Sequence, residues 1–403
     1  MSGPGLLRLE VVRTPARFQR LRPEWTEATD LDPTPNVFLT WEWVDAWWRH
    51  FGTGNRLHVV VVRDRHGVVA IAPWQRSVVG VGPLRARVLQ RLSPQAGDYG
   101  GIVVTRRTDE VVELLADHAA DLLERRKVAA IELSRLATDD PVLHALRTWA
   151  ARRRDVVLPV EQRLGGVCLF TDVTDPGFDL ARQTKKHKVR QRLRRLEEAH
   201  TDVRFTYHRG ADLDRGLQQL LAVHAARWSG REEQLQGLLA EPAREAFLLD
   251  AIRALDAQGR VRLLTLTAGD RVGDRVGDRV GDRVIAAELD FEHRGRLFLF
   301  KGAIDPAFTA YSPGQLLHHR TFVDGIAQGV SVFDFGRGDQ EYKRRWATGE
   351  RELVTLTLTR AGAVGRAAGR RLRAARAVEL RFREHTSPFK PSSSPVDPAR
   401  EAA

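Results

Sequence analysis

The segment Leu297–Trp346 limits the fold more than any other part of the chain. An apolar strand pattern is followed by a turn containing Pro313 and Gly314, then by a helical pattern and a second apolar run, Val332–Phe335. This order predicts a β–turn–α–β unit, in which the helix packs on the strands. Because a helix N-terminus presents unpaired backbone N–H groups, the turn is also a candidate site for an anionic group such as a phosphate.

The same alternation of strand and helix patterns runs through the rest of the chain. Apolar–polar alternation on either side of Asp64–Gly67 predicts a β-hairpin, and the periodic run Pro141–Arg152 predicts a helix. We therefore expect an α/β fold with a mixed sheet. Residues 1–160 and 161–360 have similar lengths and similar patterns, which indicates two domains of a duplicated fold. Residues 361–385 predict a basic amphipathic helix, and 386–403 a disordered tail.

Composition excludes several classes of protein. The chain has 403 residues, enough for two or three domains, and its single cysteine, Cys168, cannot support an internal disulfide framework. No apolar run approaches the roughly 20 residues that a membrane-spanning helix needs. Residues 1–20 contain no continuous apolar segment of the signal-peptide type. We therefore expect a cytoplasmic protein, which can also bind peripherally at the inner face of the membrane.

Positive charge is concentrated in two segments. The formal net charge is +12, and Arg182–Arg195 alone holds eight lysines and arginines. The tail helix at 361–385 is the second basic segment. Each segment fits either a solvated surface or contact with a polyanion, such as tRNA or an anionic membrane. The sequence leaves this choice open.

Four tryptophans and a tandem repeat also stand out. The tryptophans fall on one predicted helix, Phe38–Phe51, where core packing and the lining of a sugar-binding cleft are both compatible with the pattern. Gly-Asp-Arg-Val occurs four times in succession over Gly269–Val284. One copy already suits a hairpin turn, so the further copies predict a lengthened surface loop. An arginine follows each aspartate, which does not resemble an oxygen-rich calcium loop.

Several short motifs of the second half are similar to the GNAT acetyltransferase superfamily. Within it they resemble the CelD/BcsL-like acetyltransferase group, which is linked to cellulose biosynthesis. The matching segments are Ile304–Pro306, Tyr311–Leu317, Phe333–Gly338 and Tyr342–Trp346, with weaker support from Phe38–Trp43 and His224–Trp228. The resemblance implies two tandem GNAT-like domains, as in the Fem-type aminoacyltransferases.

In the GNAT superfamily, the loop and helix after the fourth strand bind the coenzyme A pyrophosphate through backbone amides. The resemblance therefore implies acetyl-CoA or another acyl-CoA as co-substrate. The residues at the corresponding place here are Tyr311, Ser312, Gly314, Gln315 and Leu316. Ser312 is a favourable N-cap residue and Pro313 suits the first helical position. The Ser312–Pro313 pair stands where the family pattern has an earlier glycine.

Direct acyl transfer to an amine needs a base for the ammonium and an acid for the leaving thiolate. The candidate bases are Glu288, Asp290 and Asp339, and the candidate acids are Tyr342 and Tyr311. Lys343 is a candidate for binding a phosphate or polarising the acyl carbonyl. His224 and Trp228, one helical turn apart, and Arg337 are candidate substrate contacts. A purely structural role, in ion pairs or core packing, is the alternative for each of them. No metal-ligand spacing is present.

The resulting functional prediction is an N-acyltransferase that uses an acyl-CoA. Its acceptor would be an amine on a small molecule, a sugar or a cell-envelope precursor of polysaccharide biosynthesis, as the resemblance implies. One alternative is a Fem-like aminoacyltransferase that uses aminoacyl-tRNA. Another is a catalytically degenerate binding module in polysaccharide assembly. The oligomeric state is not readable from the sequence.

Overall fold

The computed structural model describes residues 6–80, 82–94, 96–183, 186–228, 242–269 and 283–386. Within them, strands and helices alternate along the chain as the sequence predicts. The strands are β1 (Arg8–Val12), β2 (Arg56–Leu57), β3 (Val59–Asp64), β4 (Gly67–Ala72), β5 (Trp74–Val79), β6 (Ala86–Arg91), β7 (Val103–Val104), β8 (Ala130–Ala137), β9 (Val157–Asp172), β10 (Thr201–His208), β11 (Val261–Gly269), β12 (Arg283–His293), β13 (Arg296–Ile304), β14 (Val332–Arg337) and β15 (Gly349–Arg360). The helices are α1 (Pro15–Gln19), α2 (Arg22–Leu31), α3 (Trp41–Phe51), α4 (Thr108–Glu124), α5 (Pro141–Arg152), α6 (Leu180–Gln183), α7 (Lys186–Ala199), α8 (Leu213–Trp228), α9 (Pro242–Asp256), α10 (Pro313–Ala327), α11 (Glu341–Arg344) and α12 (Gly362–Thr386).

The two halves of the chain repeat one arrangement of strands. In the first half, β1, β3, β4 and β7 form a four-stranded sheet in that order, with antiparallel neighbours. In the second half, β10, β11, β12 and β13 pair in the same order and with the same antiparallel directions. A helix then follows in each half, α4 after β7 and α10 after β13. The predicted duplication of an α/β fold is therefore confirmed.

The halves are joined through their last strands. An eleven-stranded sheet has the order β10-β11-β12-β13-β14-β9-β15-β8-β6-β5-β2. Strand β9, which ends the first half, pairs with β14 of the second half, and β15 of the second half pairs with β8 of the first. The two long strands β9 and β15 also pair with each other. Each half therefore completes the sheet of the other, and the predicted boundary between residues 160 and 161 falls within β9.

Strands β13 and β14 separate soon after they meet. They are parallel and pair at three positions, from Arg296–Val332 to Phe298–Asp334. The rest of β13 continues beside β12 to Ile304, while β14 stays beside β9. Because the two strands diverge there, the sheet opens on the side where α10 begins. This divergence of β13 and β14 positions the candidate site.

The predicted helix Phe38–Phe51 is realised as the short 3-10 turn Val37–Leu39 followed by α3. Three of its tryptophans are buried, which agrees with core packing, and Trp48 is half-buried. The ring of Trp43 contacts Phe247 of α9 at 5.2 Å and Phe291 of β12 at 5.8 Å between centroids. Aromatic contacts of this kind join α3 of the first half to the core of the second.

The predicted tail helix is present as α12 and packs on its own chain. Leu372 is buried in a cluster with Val79 and Val88 of the first half. Arg376 forms an ion pair with Glu132 at 2.7 Å. Val364, near the start of α12, is 59% exposed. Residues 387–403, and with them most of the predicted disordered tail, lie outside the described residues.

The structure describes two other predicted segments only in part. The basic helix expected over Leu180–Ala199 is seen as α6 and α7, with residues 184–185 between them not described. Of the Gly-Asp-Arg-Val repeat, residues 270–282 lie outside the described part, between the end of β11 and the start of β12. Among the helices that the structure describes, none has the length and apolar character to cross a bilayer.

Candidate active site

The start of α10 differs from the predicted N-cap. Asp305 Oδ1 accepts a hydrogen bond from the Ala307 N–H at 3.0 Å, which begins a 3-10 turn over Pro306–Tyr311. Ser312 follows with φ +52° in the left-handed region, and its side chain makes no capping hydrogen bond. Instead, its carbonyl accepts from the Gln315 N–H at 2.9 Å. Ser312 thus occupies the predicted N-cap position before Pro313, but its side chain does not cap the helix, because its backbone is left-handed and not extended as a capping residue usually is.

Nothing in the packing requires glycine at position 314. A Cβ atom there would have Ile304 Cγ2 as its nearest neighbour, at an ordinary contact distance of 3.4 Å. The first turn of α10 also contains no acidic residue. An open first turn without a carboxylate leaves the positive end of the helix dipole available to an anion. The predicted phosphate-facing turn is therefore compatible with the structure.

The other predicted cofactor contacts surround this turn. The side-chain oxygen of Gln315 accepts a hydrogen bond from Arg192 of the basic helix α7. The Tyr311 ring packs against His200 with 5.5 Å between centroids. Leu316 is buried in the core between α10 and the sheet, so only its backbone can take part in binding. The structure thus places a guanidinium beside the start of α10, which adds to the positive potential there.

The buried Glu288 and the partly buried His318 form a pair beneath the first turns of α10. Glu288 on β12 is 3% exposed, and its Oε2 lies 2.7 Å from Nδ1 of His318 on α10. The His318 ring is nearly parallel to that of Tyr342, at 6.1 Å and 4°, and Trp346 lies across its edge at 5.8 Å. Tyr342 is 50% exposed. A chain of side chains therefore leads from a buried carboxylate, through an imidazole, to a phenol at the surface.

Burial and neighbouring charge shift the pKa values of two groups in this cluster, Asp290 and His318. Burial, together with the charge of the adjacent Glu288, raises the pKa of Asp290 well above its ordinary range. Burial opposes charge on His318, but the Glu288 carboxylate outweighs it and raises the pKa of His318 above its ordinary value of 6.5. The imidazole is thus tuned for accepting a proton near neutral pH.

The predicted cluster of Asp339, Tyr342 and Lys343 is not brought together. Asp339 precedes α11, its side chain is 72% exposed, and Arg344 lies 3.3 Å from it. Lys343 Nζ donates to the carbonyl of Arg337 at 2.6 Å, and burial lowers the pKa of its amine. Only Tyr342 points to the His318 ring. The catalytic roles of Asp339 and Lys343 remain predictions, and the contacts of Lys343 are those of a residue that fixes the backbone after β14.

The predicted substrate contacts lie elsewhere. Arg337 forms an ion pair with Asp98 of the first half at 3.0 Å, so it helps to hold the two halves together. His224 lines a small cavity of about 30 Å³ with Lys301 and leucines of α8 and α9. Leu289 of β12 also lines this cavity, on the face opposite to Glu288. Trp228 is the last residue of α8, and its side chain is outside what the structure describes.

His318 is the residue that sequence reasoning missed. It lies one helical turn after Gly314, so its place on the exposed start of α10 was accessible from helical spacing. Its partner Glu288 is 30 positions away on β12, and no local pattern links the two. Among the described residues, no group of three or more histidine, cysteine, aspartate or glutamate side chains has the arrangement of a metal site.

Comparison with known proteins agrees with this fold. Residues 183–344 match the family model of the acetyltransferase (GNAT) domain. No curated protein sequence matches the chain. The crystal structure of FemX is similar with a TM-score of 0.56 at 12% identity, covering 83% of this chain and 95% of that one. A conserved protein of unknown function from Bacteroides thetaiotaomicron gives 0.53 at 12% identity, covering 87% and 100%.

The matched GNAT segment contains α7, the β10–β13 strands, α10, Glu288 and His318. The likeness to FemX extends over both halves and concerns the fold alone, since the identity is low. Residues 183–344 therefore match a GNAT acetyltransferase domain within a duplicated α/β fold, and this match supports an acyltransferase activity.

Proposed function

We propose that the chain is an acyl-CoA-dependent N-acyltransferase in which His318 is the general base. The observation that carries this proposal is the buried Glu288–His318 pair, directly below a helix start that is open to an anion. An acyl-CoA bound there would supply the acyl group as a thioester. The first-turn backbone of α10 and Arg192 would hold its phosphates, because both offer positive charge without a competing carboxylate.

In this proposal, side chains of this chain accept and donate the protons that the reaction moves. His318 takes the proton from the acceptor ammonium, and Glu288 stabilises the imidazolium that results. The freed amine forms the C–N bond as the C–S bond breaks. Tyr342, stacked on His318 and half-exposed, donates the proton that the leaving sulfur needs. The nitrogen still carries one excess proton after the C–N bond forms, and transfer of this proton to the tyrosine phenolate restores the phenol. Burial and the charge of Glu288 raise the pKa of Asp290, which disfavours a second negative charge beside Glu288.

Calorimetry with acetyl-CoA tests the binding step. Wild-type protein should bind in the micromolar range, and Gly314→Trp should abolish binding by filling the open first turn. Gly369→Trp on α12 is the matched control, because its added Cβ meets nothing closer than 3.7 Å. We expect that variant to bind normally. Absence of binding of acetyl-CoA and of longer acyl-CoAs to the wild-type protein would refute the proposal.

The acceptor that we propose is an amine on a sugar or on a cell-envelope precursor. The support for it is the resemblance of Tyr311–Leu317 and Tyr342–Trp346 to the CelD/BcsL-like group. Thiol release from acetyl-CoA, measured with amino sugars and with simple alkyl amines, tests this choice. Faster release with amino sugars supports it, and equal or slower release contradicts it. Acetyl-CoA binding without release for any amine would instead indicate a degenerate binding module.

A second candidate is acyl transfer from aminoacyl-tRNA. The observation that favours it is the position of α7, whose Arg192 reaches Gln315 while Arg190 and Arg195 point to solvent. A tRNA contact on this face should weaken steeply with added salt, since each phosphate contact releases counterions. The double variant Arg190→Glu/Arg195→Glu should then lose tRNA binding and keep acetyl-CoA binding. Salt-independent or absent tRNA binding rejects this candidate.

A further inference from the structure

A second concentration of positive charge lies in the first half, away from α10. It surrounds a cavity of about 300 Å³, which is at the lower limit of small-molecule pockets, roughly 300–1,000 Å³. We call this cavity the basic pocket. Its lining residues are Arg13, Pro15, Trp48, Asn55, Arg56, Leu57, His58 and Arg76. None of them belongs to α10, to α11 or to the Glu288–His318 pair.

Three arginines approach each other here without a counter-charge. Arg56 of β2 and Arg76 of β5 are direct neighbours across an antiparallel pair, an arrangement that is unfavourable for like charges. Arg13 follows β1 and completes the group. In the described part of the chain, none of the three has an ion pair or a side-chain hydrogen bond, and no acidic residue lines the pocket. Burial and the charges of Arg56 and Arg13 lower the pKa of Arg76, which agrees with the close approach of the three arginines.

His58 adds an independent observation. Its side chain is 1% exposed, and its Nε2 lies 2.9 Å from Nε2 of His118 on α4. Its Nδ1 is buried and has no hydrogen-bond partner among the described residues. When His118 donates to Nε2 of His58, the remaining hydrogen of His58 sits on Nδ1, which then needs an acceptor. A buried donor without a partner is costly, so a ligand that accepts from it would remove that cost.

Trp48 and Gly52 give the pocket its wall. Gly52 ends α3, and a Cβ atom there would lie 2.7 Å from the Trp48 ring. Glycine at this position therefore allows the indole to lie across the end of α3, beside the arginines. An apolar wall next to guanidinium groups suits a ligand that has both a phosphate and a carbon skeleton.

We propose that the basic pocket binds a small phosphorylated anion, a phosphate ester or a diphosphate, through Arg13, Arg56 and Arg76. Guanidinium groups bind phosphate oxygens in a bidentate manner, and two such groups on adjacent strands match an anion with several oxygens. The pocket's volume admits a small ester. The site is separate from acyl transfer, so it can be tested whether or not the proposed reaction is correct.

Calorimetry of the full chain at constant ionic strength tests this site, with pyrophosphate, inorganic phosphate and glycerol phosphate as probes. The double variant Arg56→Gln/Arg76→Gln should bind the probe about tenfold or more weakly, because two charged hydrogen-bond donors are lost. Arg87→Gln is the matched control: Arg87 is an exposed arginine on the adjacent strand β6 and does not line the pocket. We expect it to bind as the wild type does.

Two further measurements distinguish this site from α10. Gly314→Trp should leave pyrophosphate binding intact, whereas loss of binding in that variant would place the anion at α10 and overturn the proposal. Nitrogen NMR of the histidines should show a shift of the His58 resonances on addition of pyrophosphate, which a change confined to surface charge does not produce. Equal binding by wild type and the double variant, no binding by either, or an equal response to sulfate and to every phosphate probe would also overturn it.

Discussion

The two halves begin their equivalent helices in the same way and then differ in charge. Arg107 before α4 and Ser312 before α10 both adopt the left-handed conformation, with φ of 58° and 52°. The first turn of α4 contains Asp109 and Glu110, and Glu110 accepts a hydrogen bond from Arg107 at 2.9 Å. The first turn of α10 contains no acid. Carboxylates in the first turn stabilise a helix and repel an incoming anion, so of these two helix starts only that of α10 is favourable for an anion.

His58 in the first half and His318 in the second half also differ in the charges that surround them. Burial, the neighbouring His118 and nearby arginines lower the pKa of His58 to about 3, so it is neutral at physiological pH. In the second half, Glu288 outweighs burial and raises the pKa of His318. A buried imidazole thus becomes a useful base only beside a carboxylate. The comparison assigns proton transfer to the second half, and the following changes test it.

The largest expected effect is that of His318→Gln. Loss of a positioned general base typically costs about 10²–10⁴-fold in rate, so kcat should fall by that factor while acetyl-CoA affinity changes little. The measurement is thiol release under saturating substrates. His144→Gln, at an exposed position of α5 in the first half, is the control and should retain full activity. A rate for His318→Gln within about threefold of the wild type would exclude the base assignment.

Glu288→Gln should produce a smaller loss and a shift in pH dependence. With neutral His318 as the base, kcat/KM of the wild type rises with pH through a pKa above 6.5, since Glu288 raises it. In the variant only burial acts on His318 and lowers its pKa, so the rising limb should move to lower pH and the plateau should fall about 10–100-fold. The pH profile of kcat/KM measures both. A limb that stays in place would show that Glu288 does not tune His318.

Gly314→Asp gives α10 the acidic first turn that α4 already has. The carboxylate should repel the phosphates and weaken acetyl-CoA binding by about tenfold or more, while its interaction with the helix dipole adds about 0.3–1 kcal/mol to stability. Calorimetry and thermal unfolding measure the two effects, which have opposite signs. Gly314→Ala should gain stability through its higher helix propensity instead and lose little affinity. Unchanged affinity in the aspartate variant would remove the distinction between the two helix starts.

Asp290→Asn should stabilise the protein at high pH. The folded state keeps Asp290 protonated well above its ordinary pKa of 3.8, so its contribution to stability is present below that value and is lost as pH rises. Asparagine keeps the shape without the titration. The variant should therefore have a higher Tm than the wild type at pH 8, and the difference should vanish near pH 4. A difference that does not change with pH would show that Asp290 ionises freely in the fold.

The order of strands and helices was predictable because it depends on local periodicity. The hairpin at Asp64–Gly67 and helix α5 follow the expected bounds closely. The exchange of β9 and β15 between the halves was not predictable, since pairing partners are chosen across the whole chain. The Glu288–His318 pair was not predictable for the same reason, because its two residues lie on different elements that only the fold brings together. Asp339, Tyr342 and Lys343 are close in sequence, but α11 begins after Asp339, so their spacing did not place them on one helix face.

The smallest expected effect concerns the hairpin that differs between the halves. Strands β3 and β4 are joined by a tight turn at Asp64–Gly67, whereas their counterparts β11 and β12 are separated by three additional Gly-Asp-Arg-Val copies. Deleting Gly273–Val284 leaves one copy, whose Arg271 and Val272 can replace Arg283 and Val284 at the start of β12. Because the free energy of loop closure changes by only about 0.6 kcal/mol for each doubling of length, Tm and acetyl-CoA affinity should stay nearly constant. A clear loss of either would mean that the repeat contacts the fold or the ligand, and that the two hairpins are not equivalent.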